Sequence, residues 1–246
     1  MTPTLDLSIV IPAYNEERRL PRTLERVRQY LRDAHPSCEV IAIDDGSTDG
    51  TAAAVARLQN EMPQLRLLSN GRNRGKGYSV RHGMLEAHGR IALFTDADLS
   101  APIEEADKLL AALGAADIAI GSRALDRSLI SVHQSRARER AGILFNWMVR
   151  LFTGSQFRDT QCGFKAFAMP ECRIIFEQQQ IEDFGFDPEI LFLAHRHGLR
   201  AVEVPVRWAH DPGTKLHVVR DSVKMFLDLL RIRWNALAGR YPRQLK

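Results

Sequence analysis

Five short apolar runs, each halting at a polar cluster, limit what this chain can fold into more than any other feature. They are Leu7 to Ile11 (LSIVI), Glu39 to Ile43 (EVIAI), Leu65 to Leu68, Ile91 to Thr95 and Asp117 to Gly121. Short, near-continuous apolar runs are expected of strands buried on both faces of a parallel sheet. Helical segments separate them: Glu17 to Arg32, a segment capped by Asp49 or Thr51 and running through Leu58, Tyr78 to Ala87, and Ile103 to Leu113. Pro12 is expected to end the first strand.

Strands and helices alternating at this spacing describe an α/β fold with a doubly wound sheet. Ligands in such sheets bind beyond the carboxyl ends of the strands. The chain places PAYNE (Pro12 to Glu16), DDGS (Asp44 to Ser47), DADL (Asp96 to Leu99) and GSR (Gly121 to Arg123) at those ends. Side chains alternate along a strand, so Asp96 and Asp98, following a strand that ends at Thr95, point the same way. Two crowded carboxylates repel unless a cation lies between them. Mg²⁺ and Mn²⁺ take oxygen ligands, and Mg²⁺ is commonly held by one or two carboxylates plus substrate phosphates. The pair therefore points to a metal that carries a diphosphate. Lys76 lies in a glycine-rich basic loop, NGRNRGKGYS, whose spacing is not that of a Walker A motif.

After Arg123 the rhythm changes. Arg136 to Thr153 reads as a helix, Cys162 to Ala168 as a strand, Pro188 to His197 as a helix, Ala201 to Val206 as a strand, and Val218 to Ala238 as a long closing helix. With 246 residues, 45% hydrophobic and 26% charged, the chain is expected to build one substantial core without linker or repeat. Three cysteines, Cys38, Cys162 and Cys172, lack metal spacing and argue for a reducing compartment. The opening MTPTLDLSIVIP has no basic flank of a signal peptide, and no stretch approaches the ~20 apolar residues of a membrane span. The net charge of +4 is unevenly spread: Arg123 to Arg150 holds six arginines, and Arg220 to Lys246 seven basic residues. Such patches attract phosphate, anionic lipid or nucleic acid. No helix-turn-helix, zinc finger or RNA-binding aromatic motif accompanies them, so nucleic acid is not expected as a partner.

PAYNE, IDDGSTDGT (Ile43 to Thr51), DADL and GSR together resemble the inverting family 2 glycosyltransferases. DTQCGFKAF (Asp159 to Phe167), FGFDPEILF (Phe184 to Phe192), VEVPVRW (Val202 to Trp208) and PGTKL (Pro212 to Leu216) narrow this to the polyprenyl-phosphate sugar transferases. They look closer to the dolichyl-phosphate β-glucosyltransferase branch than to the mannosyl branch, which often has Gln or His where this chain has Ser100. The resemblance implies a GT-A fold: a Rossmann-like, doubly wound mixed sheet with helices on both faces and a C-terminal acceptor-side extension. It divides a single domain into a nucleotide-sugar half (1–123), an acceptor half (124–217) and a basic amphipathic helix and tail (218–246).

By that resemblance, Pro12, Tyr14, Glu16 and Asp45 hold the base and ribose of a nucleotide sugar, and Asp96, Ala97 and Asp98 hold Mg²⁺ or Mn²⁺ with its diphosphate. Lys76 and Lys215 are expected to help bind donor phosphates. Arg123, with Arg136 and Arg140 spaced four apart on one helix face, is expected to bind the acceptor phosphate, since guanidinium suits phosphate bidentately. Asp187 either orients sugar hydroxyls or caps the helix starting at Pro188. A phosphate acceptor needs no strong general base, because its second pKa of about 6 leaves it mostly dianionic at neutral pH.

The expected activity is metal-dependent transfer of glucose from UDP-glucose to a polyprenyl phosphate. The rivals are a hydroxyl acceptor, which would need Asp183 or Asp187 as base, a non-catalytic nucleotide-sugar or lipid-phosphate binder, and a nucleotidyltransferase, against which the missing glycine-rich, basic N-terminal phosphate motif argues. Val223, Phe226, Leu227, Leu230, Trp234 and Leu237 form one apolar stripe of the last helix, rimmed by Lys224, Arg231, Arg233, Arg240 and Arg243. That helix either closes the core or lies in lipid headgroups. A long isoprenoid acceptor favours the second reading, and with it a cytoplasmic protein peripheral on the membrane's cytoplasmic face.

Overall fold

The computed structural model describes residues 5–34, 37–132, 135–210 and 218–242. Strands β1 (Leu5–Ala13), β2 (Cys38–Asp44), β3 (Leu65–Ser69), β4 (Gly89–Thr95) and β5 (Ile118–Ser122) alternate with helices. These are α1 (Leu20–Ala34), α2 (Thr51–Gln59), α3 (Lys76–Leu85) and, after a 3₁₀ turn at Ile103–Glu105, α4 (Ala106–Ala112). The second half contributes β6 (Ile130–Val132), α5 (Arg136–Thr153), β7 (Phe164–Ala168), α6 (Arg173–Gln178) and α7 (Phe186–Arg196). It closes with β8 (Ala201–Pro205), β9 (Trp208–Ala209) and α8 (Val218–Leu237).

Seven strands form one sheet in the order β3-β2-β1-β4-β7-β5-β8, and β6 pairs with β9 in a separate ribbon. All pairings of the large sheet are parallel except those of β7, which runs antiparallel between β4 and β5. The strand order reverses between β1 and β4, the place where such sheets open a crevice at their carboxyl ends. Both faces are covered. Leu7, Ile9 and Ile11 pack on one side with Leu20, Leu24, Val27 and Leu31 of α1 and Leu109 of α4. Val10, Ile41, Ile43 and Phe94 pack on the other with Val80 of α3, Ile190 of α7 and Ile232 of α8. The α1 residues repeat at four, three and four positions and are at most 1% exposed. Burying each such side chain stabilises by about 1.5–3 kcal/mol.

Three details differ from the sequence expectations. Pro12 does not end β1, which runs on to Ala13. The β1–β4 ladder stops at Val10 and Phe94 while β1–β2 pairing continues to Ala13 and Asp44, so Pro12 has a partner on one side only, where its missing N–H costs no ladder bond. Helix α7 begins at Phe186, which puts Asp187 inside its first turn; Gly185 is the cap, so the capping role of Asp187 is not realised. The six-residue α6 and the β6–β9 ribbon are too short to leave a periodic signal.

Antiparallel β7 matters most for the site. Phe164 pairs with Thr95, and Lys165 with both Phe94 and Ile120. The segment entering β7, Asp159 to Gly163, therefore arrives at the same sheet edge as the residues leaving β4 and β5.

Candidate active site

The crevice is assembled from loops tied to one another by side chains. Asn15, at φ +54°, follows β1. Its amide donates to the Ser47 hydroxyl at 2.9 Å and its side-chain oxygen accepts from Thr48 N at 2.8 Å, locking PAYNE to the DDGS turn. Tyr14 is 37% exposed at the mouth, and Pro12 is buried in β1. Glu16 is engaged bidentately by Arg19 at 2.6 and 2.7 Å, and its amide donates to Thr51.

Asp45 organises the basic loop. Its Oδ1 accepts from Asn70 Nδ2 at 2.7 Å and Arg74 N at 3.0 Å, and its Oδ2 from Gly75 N at 2.9 Å. The neighbouring Asp44 is buried and receives one such bond, from Ser47 N to Oδ1 at 3.1 Å. Of the two DDGS aspartates, Asp44 thus retains more acceptor capacity, a distinction the motif alone does not make.

Asp96 and Asp98 follow the end of β4 in a tight turn, closed by Leu99 N donating to Asp96 O at 3.1 Å with Leu99 at φ +47°, so the turn rather than strand alternation sets their directions. Thr23 of α1 donates to Ala97 O at 2.6 Å, fixing the backbone between them. Asp96 Oδ1 lies 2.5 Å from the Lys76 ammonium. Asp98 accepts from Ser100 N at 2.9 Å. Burial, and then the charge of Asp96, push the Asp98 carboxyl above its ordinary range. Burial works against the charge on Lys76, but Asp96, Asp187 and Asp98 outweigh it and raise that ammonium's pKa. Gly163, entering β7, makes room for the pair: a Cβ there would lie 2.2 Å from Asp96 Oδ2. Two neighbouring carboxylates, one pushed toward protonation first by burial and then by the other's charge, suit a hard divalent cation. Among the described residues no group of three or more His, Cys, Asp or Glu is placed to hold a metal ion by itself.

Asp187 is 4% exposed, and its carboxylate is paired with the ammonium of fully buried Lys165. Lys165 also donates to Cys162 O at 2.7 Å and lies 5.3 Å from the centre of the Phe94 ring. Burial pushes the Asp187 carboxyl up, against Lys165 and Lys76. Asp187 is thus a buried partner of a lysine; the sequence pattern did not single out Lys165.

Arg123 is placed differently from expectation. Its Nε and Nη2 grip Asp159 at 2.7 and 2.8 Å, and its own amide donates to the same carboxylate at 3.0 Å. The bidentate edge therefore faces Asp159 rather than a ligand. Burial disfavours the charge of Arg123, yet Asp159 raises its pKa; Arg123 in turn outweighs burial and lowers that of Asp159. The guanidinium stands 5.2 Å over the Trp208 ring.

Beside this pair opens a cavity of about 360 Å³, lined by Arg123, Arg127, Arg150 and Arg158 with Trp147 and Trp208. Gln161 also lines it, and its buried Nε2 has no hydrogen-bond partner. Arg140 is exposed on α5 and is not in the lining; Arg150 and Arg158 take the place expected of it. The Arg136 side chain, Lys215 and Arg243 lie outside the described residues. Asp159 is the first residue of DTQCGFK and Arg158 immediately precedes it, which was their only signal; nothing in sequence separated Arg150 from a solvated arginine.

The α5 and α8 helices pack together through Phe152 and Phe226, whose ring centroids are 5.9 Å apart edge to face. Each turns an apolar row outward: Ile143, Leu144, Trp147 and Leu151 on α5, and Val223, Leu227, Leu230, Trp234 and Leu237 on α8. Leu229 and Ile232 of α8 face the core instead. Among the described residues no helix is long and apolar enough to cross a membrane.

Comparison with known proteins agrees with this fold. In structure, the chain resembles glucosyl-3-phosphoglycerate synthase from Mycobacterium tuberculosis, crystallised with Mn²⁺, UDP-glucose and phosphoglyceric acid, at a TM-score of 0.65 and 17% identity over 98% of this chain and 82% of that one. Mannosyl-3-phosphoglycerate synthase from Rubrobacter xylanophilus gives 0.64 and 18% over 98% and 77%. In sequence, it is 38% identical to the dolichyl-phosphate beta-glucosyltransferase of Drosophila melanogaster over 97% of this chain and 77% of the relative. It is 34% identical to that of Saccharomyces cerevisiae over 96% and 76%. Residues 8–170 match the Glycosyl transferase family 2 domain, and the chain belongs to that family of glycosyltransferases.

Proposed function

We propose that this glycosyltransferase transfers glucose from UDP-glucose to a dolichyl-type polyprenyl phosphate, with inversion, at the crevice between β1 and β4. One observation carries the acceptor side: Ile143 and Trp147 of α5 belong both to the arginine-rimmed cavity and to an outward apolar row. A ligand with an anionic head and an apolar tail fits that continuity, and a small polar acceptor has no use for it. The sequence relatives carry the same substrate class in their names.

On the donor side, Asp44, Tyr14 and the loop held by Asp45 frame the base and ribose. Asp96 and Asp98 would hold Mg²⁺ or Mn²⁺, which when bound supplies Lewis-acid neutralisation of charge on the departing UDP. Lys76 places a positive charge beside the same carboxylates. The acceptor phosphate enters from the cavity, where Arg150 and Arg158 offer guanidinium groups and Gln161 a free donor, while Arg127 is already paired with Glu139 of the same lining at 2.7 Å. Arg123, fixed by Asp159, holds that wall in register and adds positive field. The phosphate oxygen then attacks the anomeric carbon opposite UDP. Positioning and fixed charge supply the catalysis. Asp187, locked to Lys165, is not set up as a base, so a hydroxyl acceptor would have to rely on Asp183, which is half-exposed and 3.5 Å from Lys224.

The two outward rows, with Arg150, Arg231, Arg233 and Arg240 exposed near them, form a surface suited to anionic headgroups, each basic residue contributing about 1 kcal/mol. A donor screen tests the reading: UDP-glucose, UDP-galactose and GDP-mannose, each with a short polyprenyl phosphate, followed by nucleotide release and lipid product. Glucosyl lipid from UDP-glucose is expected. Turnover only with a hydroxyl acceptor would reject it.

A further inference from the structure

Lys76 sits where the metal's charge belongs. Its ammonium is 2.5 Å from Asp96 Oδ1, and among the described residues no other side chain pairs with Asp96. The backbone that carries it is clamped. Gly75 adopts φ +104°, a conformation costly for residues with a Cβ, and donates to Asp45. A Cβ on Gly75 would lie 2.5 Å from Glu182 O, and one on Gly77 would lie 2.7 Å from Ile181 O. Tyr78 N also donates to Glu182 O at 3.0 Å. Lys76 is thus not in a loop, as the sequence suggested, but opens α3, whose first turn is pinned on two sides; the movable part at this position is the lysine's flexible four-carbon stem.

A divalent cation on Asp96 would stand within a few ångströms of that ammonium and be repelled by it. The lysine has to leave before the carboxylate is fully available, and leaving a half-buried carboxylate needs another anion to receive it. A donor diphosphate supplies one. We propose that Lys76 is an internal counter-cation that occupies Asp96 in the resting protein and is drawn off by the nucleoside diphosphate, so that nucleotide binding opens the metal site. This rests on the metal reading of Asp96 and Asp98. By linkage, nucleotide and metal then raise each other's affinity by the same factor. Direct bridging of phosphates by metal also produces such coupling. The distinguishing quantity is therefore metal affinity without nucleotide.

The test is Mn²⁺ binding to the whole chain, read from the spin resonance of free Mn²⁺, with and without UDP. Wild type is expected to bind Mn²⁺ weakly alone and at least about tenfold more tightly with UDP. Lys76→Met should bind Mn²⁺ alone at least about tenfold more tightly than wild type, and its enhancement by UDP should shrink. Lys76→Arg, which keeps the charge, should behave as wild type. Lys76→Gln replaces the Met variant if thermal unfolding shows the latter does not fold. If the neutral variants bind Mn²⁺ alone no better than wild type, while wild type with UDP binds it and Asp98→Ala does not, the metal reading stands and the counter-cation role is overturned. If Asp98→Ala binds Mn²⁺ with UDP as well as wild type does, the metal reading itself falls and this inference falls with it.

Discussion

Removing the buried lysine is the sharpest test of how the catalytic edge is held together. Lys165 is fully buried on the middle antiparallel strand, and its ammonium has two partners, the Asp187 carboxylate and Cys162 O. Lys165→Met keeps most of the stem's volume and strips the charge. Asp187, 4% exposed, is left without its principal counter-ion. Breaking a buried pair from one side costs about 3–5 kcal/mol, because an uncompensated charge stays inside. With a urea dependence of about 3 kcal/mol per molar, the unfolding midpoint should fall by about 1 M or more. Lys165→Met combined with Asp187→Leu removes both charges and should be less destabilised than the sum of the single variants, with a coupling of about 2–3 kcal/mol. Urea unfolding followed by circular dichroism on the four proteins gives the cycle. A single-variant loss below about 1 kcal/mol, or strictly additive losses, would refute the claim that this pair is a closed electrostatic unit.

Asp96→Ala and Asp98→Ala should each lower turnover by at least about a thousandfold, the equivalent of several kcal/mol of lost charge stabilisation, with the fold retained by circular dichroism, although Asp96→Ala also strips Lys76 of its partner. Chelation of the wild type should match them, and full activity of both variants in chelator would contradict the assignment. Gly163→Ala, whose Cβ would fall 2.2 Å from Asp96 Oδ2, should displace that carboxylate and cost roughly a hundredfold in activity; kinetics within twofold of wild type would show the close approach to be dispensable. Replacing Arg231, Arg233 and Arg240 by glutamate should reduce sedimentation with anionic vesicles and raise KM for a long-chain acceptor, leaving UDP binding unchanged; equal sedimentation would remove α8 from the membrane contact. Asp228 is raised from 3.8 to about 6, chiefly by burial, with Arg231 opposing and Asp183 reinforcing. Its contribution to stability is therefore full below pH 4 and lost as pH rises through 6. Asp228→Asn should flatten that segment of the stability profile by about 1 kcal/mol after solvent screening, and identical slopes in both proteins would count against it.

The parallel strands, the helices between them and the placing of PAYNE, DDGS, DADL and GSR at strand ends were legible because each depends on local pattern. Apolar runs set the strands, and DADL put Asp96 and Asp98 at the end of one of them; the turn after Thr95, which period-two alternation does not describe, sets how the two carboxylates stand. The motifs also carried the family. Where partners are far apart in sequence, local pattern was silent. Nothing near Lys165 announces that it meets Asp187 across 22 positions, or that Arg123 spends its fork on Asp159 across 36. Both follow from β7 entering the sheet against the direction of its neighbours. An isolated apolar stripe on α8 reads the same whether it faces core or solvent. The fold decides by using Leu229 and Ile232 for the core and pairing Phe226 with Phe152 of α5, which turns Trp234 and Leu237 outward. Local composition therefore determined the elements and the chemistry available at their ends, while long-range packing determined which charges neutralise one another and which remain for a ligand.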